Sequence, residues 1–376
     1  MLSATPKRIL FFTPYAGRTG SEMFLWYMLS AVNKAIITPC LVSECNGALL
    51  PLMPTYIPTY VTLKYPNKWQ RAKAILARTL GINSYNNNLL TLHNKFKPNY
   101  WYLNTVLMTD KLALAQQHNI PVITHFHELT TDYSLVSKQQ LQLAINYSAL
   151  CIADSQAVYK KLQTLGATNI ALQYECIDVS KIKVDSAKSL QLKKQLGLER
   201  FSFVWLMSGS SSIRKGVDMV PELGQLLQQQ NAALVWLGNN SSTGMDLTIE
   251  REIETMQLNN VFFLGKKTDA DYYNYMNIMD GFVLTSREEP FGMVVVEALA
   301  LGKPVVSFNA GGVAEIITPN IGTIVHSWNV ADLAQAMQLV ASPTFVFDAA
   351  QAKARANEFD VSNQVKHWET MFTTLK

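Results

Sequence analysis

The chain has 376 residues, 48% hydrophobic and 16% charged, with a net charge of +4. That length exceeds one ordinary core and predicts two domains. The balance excludes a disordered, collagen-like or coiled-coil chain and suits large buried sheets.

Met1 to Arg8 lacks the apolar core of a signal peptide, and no window of the sequence reaches the ~18 consecutive apolar residues of a membrane-crossing helix. Any membrane role is therefore expected to be peripheral. Arg8 to Thr13 is predicted as a short apolar strand, followed by the loop Pro14 to Gly20 and a helix over Ser21 to Asn33. Further strands are predicted at Ile36 to Val42, Tyr100 to Asn104, Pro121 to His125 and Ala149 to Ala153, with helices at Ser137 to Tyr147 and Gln156 to Leu165. Strands alternating with helices predict a doubly wound α/β domain. Two features stand at strand ends: the glycine loop Gly17-Arg18-Thr19-Gly20-Ser21-Glu22, and Thr124-His125-Phe126-His127-Glu128-Leu129. The four cysteines, Cys40, Cys45, Cys151 and Cys176, have no paired spacing that suggests zinc and read as free thiols in a reducing cytoplasm.

Between Cys45 and Thr109 there is no acidic residue, while Lys64, Lys68, Arg71, Lys73, Arg78, Lys95 and Lys97 give +7, so the remainder of this +4 chain carries −3. Tyr60, Tyr65, Trp69 and Tyr100 to Tyr102 interleave with these cations, and Trp69 to Leu80 is predicted as a basic helix with apolar Ala72, Ile75, Leu76 and Leu80. A basic, aromatic-edged segment suits an anionic membrane surface, here through residues 60–80. An ordinary solvated face is the bland alternative, and no nucleic-acid motif accompanies the patch.

Val179 to Leu198 is polar and lysine-rich and is read as the connection between domains. A second set of strands follows at Phe201 to Met207, Ala233 to Leu237, Val261 to Leu264, Gly281 to Leu284, Val305 to Phe308 and Thr323 to Val325, then a final helix at Val361 to Leu375. After the first of these strands comes Gly209-Ser210-Ser211-Ser212-Ile213-Arg214-Lys215-Gly216. Its glycine and serines permit close backbone approach, and Arg214 and Lys215 supply cation charge unless they merely begin a solvated helix. After Gly281 to Leu284 comes Glu289-Pro290-Phe291-Gly292-Met293-Val294-Val295-Val296-Glu297, leading into a helix that is apolar nearly all round and is stopped by Gly302. A helix starting near Gly292 leaves amides of Phe291, Gly292 and Met293 for an anion. A carboxylate in the mouth of such a site needs a ligand with hydroxyl donors beside its charge. Glu297, on an apolar helix, needs a hydrogen-bonding partner.

Thr285 to Glu315 resembles the donor-binding signature of the retaining glycosyltransferases of family four, a GT-B-fold group in which two glutamates at this spacing flank a Phe-Gly. The match continues through Ala298, Gly302, Pro304 and Gly311-Gly312-Val313-Ala314-Glu315. The resemblance implies an α/β GT-B fold, two doubly wound Rossmann-like domains facing a central cleft. Residues 1–182 would form the acceptor domain, with a helix at 359–376 packing back on it, and residues 183–358 the donor domain. It implies that Glu289 contacts hydroxyls of the transferred sugar, that Glu297 binds the ribose, and that Gly209, Ser210, Pro290, Phe291, Gly292 and Met293 line the donor site. Lys215 matches the family's diphosphate lysine. The family's arginine position is occupied by Ser210, so Arg214 is expected as its substitute. His127, favoured over His125 because an acidic residue follows it, is expected to face the reacting centre, and the Gly20 loop to approach donor phosphate and acceptor. Asp154-Ser155 and Ile177-Asp178 resemble family landmarks, but Glu175-Cys176 replaces the usual Asn-Gly and is given no chemistry.

The expected activity is transfer of a sugar from a nucleotide-diphosphate donor to a hydroxyl of a glycan or lipid-linked acceptor in surface polysaccharide or glycoconjugate synthesis. Retention, front-face attack, no cofactor and no metal are expected, in a cytoplasmic protein or one peripheral on the inner membrane face, with no nucleic-acid partner. A nucleotide-sugar epimerase of the same fold and a non-catalytic binding partner are the alternatives.

Overall fold

The computed structural model describes residues 5–62, 84–238, 244–267 and 269–375. The cations Lys64, Lys68, Arg71, Lys73 and Arg78, with Tyr65, Trp69 and the helix expected over 69–80, lie outside the described residues. The chain forms two compact units, residues 1–176 with 361–376, and residues 177–360. The division thus falls at 176/177 and 360/361 rather than after 182 and 358.

The first unit is built on β1 (Lys7–Tyr15), β2 (Ile37–Cys45), β3 (Thr59–Val61), β4 (Tyr100–Leu103), β5 (Val122–Phe126), β6 (Ser148–Ala153) and β7 (Ile170–Leu172). Among the described residues these pair in the order β3-β2-β1-β4-β5-β6-β7, all parallel. Their central members are continuous apolar runs because a parallel sheet is covered on both faces. Ile9 to Phe12 are wholly buried, as are Trp101 and Tyr102. This corrects the reading of Tyr100 to Tyr102 as aromatics edging a basic surface: β4 lies between β1 and β5, so its rings fill the core. The helix Val361–Thr374 supplies part of that core, setting Trp368 against Phe11 and Tyr102, and Phe372 against Tyr102.

The second unit is built on β8 (Phe203–Ser208), β9 (Ala232–Leu237), β10 (Val261–Phe263), β11 (Gly281–Leu284), β12 (Val305–Phe308) and β13 (Gly322–Val325). Among the described residues they form a parallel sheet in the order β10-β9-β8-β11-β12-β13. Strand order reverses between β8 and β11, and ligands of open α/β sheets bind beyond the carboxyl ends of the strands at such a switch. The loops opening there start at Gly209 and Thr285.

The segment read as a connection is not one. Ser186–Gln195 is a helix of the second unit, capped by Asp185, whose side chain accepts from the Lys188 amide at 3.0 Å. Lys188 pairs with Asp271, and Lys193 reaches both carboxylate oxygens of Asp280 at 3.1 Å. A helix held by a cap and ion pairs carries no apolar stripe, so its composition looks like that of a linker.

Candidate active site

The loop after β8 is shaped by hydrogen bonds that converge on Lys215. Trp236 donates from its indole to the Gly209 carbonyl at 3.1 Å. The backbone then makes a short 3-10 turn over Ile213–Lys215, with Ser212 as its cap. Gly216 closes the turn at φ +74, and a Cβ there would lie 2.4 Å from the Thr285 carbonyl oxygen, so the two switch-point loops approach at a position that only glycine fits. Thr285 seals the contact by donating its hydroxyl to the Lys215 carbonyl at 2.8 Å.

This clamp delivers Lys215 Nζ to Glu289 Oε2 at 2.5 Å, where Ser286 also donates at 3.0 Å. Glu289 itself is fixed through its backbone: its amide donates to the Ala310 carbonyl at 2.7 Å and its carbonyl accepts from Gly312 at 3.0 Å. Burial alone would push the Glu289 carboxyl up, but Lys215, by charge and hydrogen bond, with Arg214 and Ser286, holds it below the usual carboxylate range. Arg214 donates to the Glu288 carbonyl at 3.0 Å, and Arg287 forks onto Asp218 at 2.7 and 2.8 Å. Ser210, at the usual arginine position, is exposed.

Gly292, at φ +110, turns the chain into the helix Met293–Ala300. Pro290 and Phe291 are buried beneath it, Phe291 packing edge-on against Phe359 at 5.2 Å. In the second turn, half-buried Glu297 receives the hydroxyls of Tyr272 and Tyr273, one on each oxygen, both at 3.0 Å. Burial pushes its carboxyl up to about 7, against the pull of the two phenols.

In the first unit Gly20 begins the helix Gly20–Ala31, whose first turn carries buried Glu22. His127 lies just past β5, buried, with Nδ1 3.0 Å from Glu175 Oε1 and 4.0 Å from Asp154 Oδ2. Its ring centroid lies 3.9 Å from that of His125, the two rings tilted by 39°. His125 is wholly buried and bonded to the Tyr102 hydroxyl at 2.6 Å; burial and the neighbouring His127 hold it well below the ordinary histidine range. It is a core residue. Glu128 receives the Thr105 hydroxyl and the His127 amide, and burial raises it to about 7. One ligand atom each from His127, Asp154 and Glu175 fall within 4.8 Å of one another, the group among the described residues that has the spacing for a metal ion.

Residues 189–356 match the family described as glycosyl transferases group 1. That match lies within the second unit and covers less than half of the chain. Curated relatives include N-acetyl-alpha-D-glucosaminyl L-malate synthase of Bacillus anthracis, 27% identical over 40% of this chain and 39% of the relative. Another is a GDP-mannose-dependent phosphatidylinositol monomannoside mannosyltransferase of Corynebacterium glutamicum, 24% identical over 61% and 62%. The first relatives matched are spanned over only about two fifths of their length. Among solved structures, Anabaena HepE in complex with UDP-glucose is 23% identical with a TM-score of 0.81, covering 98% of this chain and 100% of that one. These likenesses show the fold, the GT-B class of two Rossmann-like units expected above.

The matched stretch contains Gly209, Ser210, Arg214, Lys215 and Glu289 to Glu297, and the second unit brings Arg214, Lys215 and Glu289 together. Gly20 and His127 lie outside it, in the first unit. Sequence reasoning missed Ser286, Arg287, Tyr272 and Tyr273. The requirement for a partner on Glu297 was readable, but two adjacent tyrosines 24 and 25 residues upstream carry no periodic signal that names them. Glu175 was visible only as a departure from the family pattern, although it touches His127.

Proposed function

We propose that this chain is a retaining glycosyltransferase that moves a sugar from a nucleotide-diphosphate sugar to a hydroxyl of a glycan or lipid-linked acceptor. The observation that carries it is Glu289, buried at the switch point, kept ionised by Lys215 and followed across a glycine-started helix by Glu297. An anionic carboxylate at a helix mouth repels a bare phosphate, yet it accepts from sugar hydroxyls while Lys215, Arg214 and the helix amides take the diphosphate. UDP and UDP-glucose in the HepE complexes support a nucleotide-sugar donor.

In this reading the departing diphosphate takes the acceptor proton on the face it leaves. Its growing charge is met by Lys215 and Arg214, which do the job that a divalent ion does elsewhere. His127 faces the sugar and is oriented by Glu175. No helix among the described residues is long and apolar enough to cross a membrane. Attachment to an anionic membrane surface through the basic stretch near residues 60–80 remains part of the proposal.

The test is turnover of a panel of UDP-, GDP-, ADP- and CMP-sugars with and without glycan acceptors, with the anomeric configuration of the product read by NMR. Sugar release or transfer with retention supports the reading, and inversion overturns it. Interconversion of the donor without any acceptor supports the epimerase instead. Activity abolished by EDTA and restored by magnesium or manganese overturns the metal-free mechanism.

A further inference from the structure

We infer that Tyr272 and Tyr273 are positioning residues that set nucleoside recognition by clasping Glu297. The inference rests on the reading of Glu297 as the ribose-binding carboxylate.

Glu297 sits on a helix whose other residues from Val294 to Ala300 are all apolar, and among the described residues no cation lies within ion-pair distance of it. A carboxylate taken part-way out of water without a cation must be held by neutral donors. Here the donors are two phenols from one short helix, Asp269–Met276, with rings 5.2 Å apart and inclined at 68°. Each takes a different oxygen. An ionised carboxylate offers about four acceptor positions. The two phenols fix the plane of the group and leave one position on each oxygen, the pattern that a pair of vicinal ribose hydroxyls requires.

The chain of donors extends one residue further. Tyr272 Oη lies 3.0 Å from Glu297 Oε2 and 2.9 Å from Ser208 Oγ. While Glu297 is ionised it accepts the single phenol proton, and Ser208 is then the donor to Tyr272. Ser208 ends β8 and precedes Gly209 of the cation-bearing loop. The relay Ser208 to Tyr272 to Glu297 therefore ties the ribose carboxylate to the strand that launches that loop.

The arrangement has a signature that a merely structural pair of tyrosines lacks. Burial raises the Glu297 carboxyl to about 7 and both phenols oppose that rise. Removing either phenol therefore moves the midpoint further up. Of the other charged groups near the helix, Lys353 lies against Gly302, while Arg355 donates to the Glu315 and Ile316 carbonyls and Glu289 holds Lys215.

The experiment is calorimetric binding of UDP, GDP and ADP to the full chain across a pH range spanning 7, for wild type, Tyr272→Phe, Tyr273→Phe, Glu297→Gln and each tyrosine change combined with Glu297→Gln. Phenylalanine keeps the ring, so packing is preserved, and melting temperature checks the fold. Expected for the preferred nucleotide is a wild-type affinity that falls below a midpoint near 7. Each Phe variant should show a higher midpoint and roughly tenfold weaker binding at neutral pH, the size expected for a hydrogen bond to a charged group. Glu297→Gln should abolish the pH step, and the tyrosine changes should add nothing in that background. Phe variants with wild-type midpoint and affinity overturn the inference, while a weakened Glu297→Gln would leave the ribose assignment standing. Wild-type affinity in Glu297→Gln, or no binding of any nucleotide by wild type, overturns both.

Discussion

Glu289 and Glu297 lie on one short stretch of the second unit, and burial presses on both carboxyls in the same direction. Their carboxyls nevertheless shift in opposite directions. Glu289 meets an ammonium 2.5 Å away and is held below the usual carboxylate range; Glu297 meets two phenols and rises to about 7. The partner, not the depth, decides. Desolvation destabilises a carboxylate, neutral donors recover part of that loss, and a full opposite charge recovers more. Glu289 is thus held as an anion, which in the proposed reading suits it to gripping a sugar throughout the reaction. Glu297 is a group that its ligand can help to ionise.

The contrast breaks most visibly at Lys215. Lys215→Ala removes both the neutralising partner of Glu289 and a preorganised donor to the leaving diphosphate, so kcat should fall roughly a hundredfold or more while donor affinity falls less. The same change should move the acid limb of the pH–rate profile upward, because Glu289 loses the charge that kept it ionised; an unmoved limb would mean that the carboxylate is held by something else. Arg214→Ala should show a comparable loss of kcat, and wild-type rates in that variant would make Arg214 a surface residue.

Glu289→Ala and Glu297→Ala should each lose about 1.5 to 3 kcal/mol, but in different assays. The first lowers turnover while sparing affinity for free nucleoside diphosphate. The second weakens donor and nucleoside diphosphate alike, and equal nucleotide affinity in wild type and Glu297→Ala would refute the ribose assignment. The smallest effect is reserved for Arg287→Ala. Its fork onto Asp218 has good geometry, but both side chains are more than a third exposed, so unfolding in denaturant should show a loss of about 1 kcal/mol or less.

Two strands buried on both faces were legible to the residue, and the other central strands to within one to three residues at each end. Gly281–Leu284 and Val305–Phe308 are apolar runs bounded by glycine or proline, and parallel pairing leaves little freedom in where they stop. The edge strands β3 and β7 escaped, since three half-exposed residues make no pattern. The helix Ser186–Gln195 escaped because ion pairs hold it rather than an apolar face. In the site, the cations and carboxylates could be read because each stands beside a glycine turn after a predicted strand. The partners of Glu297 could not, because a hydrogen bond between two helices leaves no trace in local spacing. Tyr100 to Tyr102 were misread for a related reason: polar-tipped rings next to lysines in sequence look like a surface until the topology places their strand between two others.

The first unit draws one of its aromatic layers from the helix Val361–Thr374, which follows the whole second unit in sequence. A ribosome therefore delivers β1 to β7 long before the residues that cover Phe11 and Tyr102. Until Trp368 and Phe372 emerge, a stretch of aromatic surface stands open, while the second unit, continuous from 177 to 360, has every residue it needs to fold. Maturation of this chain is thus ordered back to front: the half made first is completed last, and the intervening interval is when a nascent chain most needs protection from aggregation.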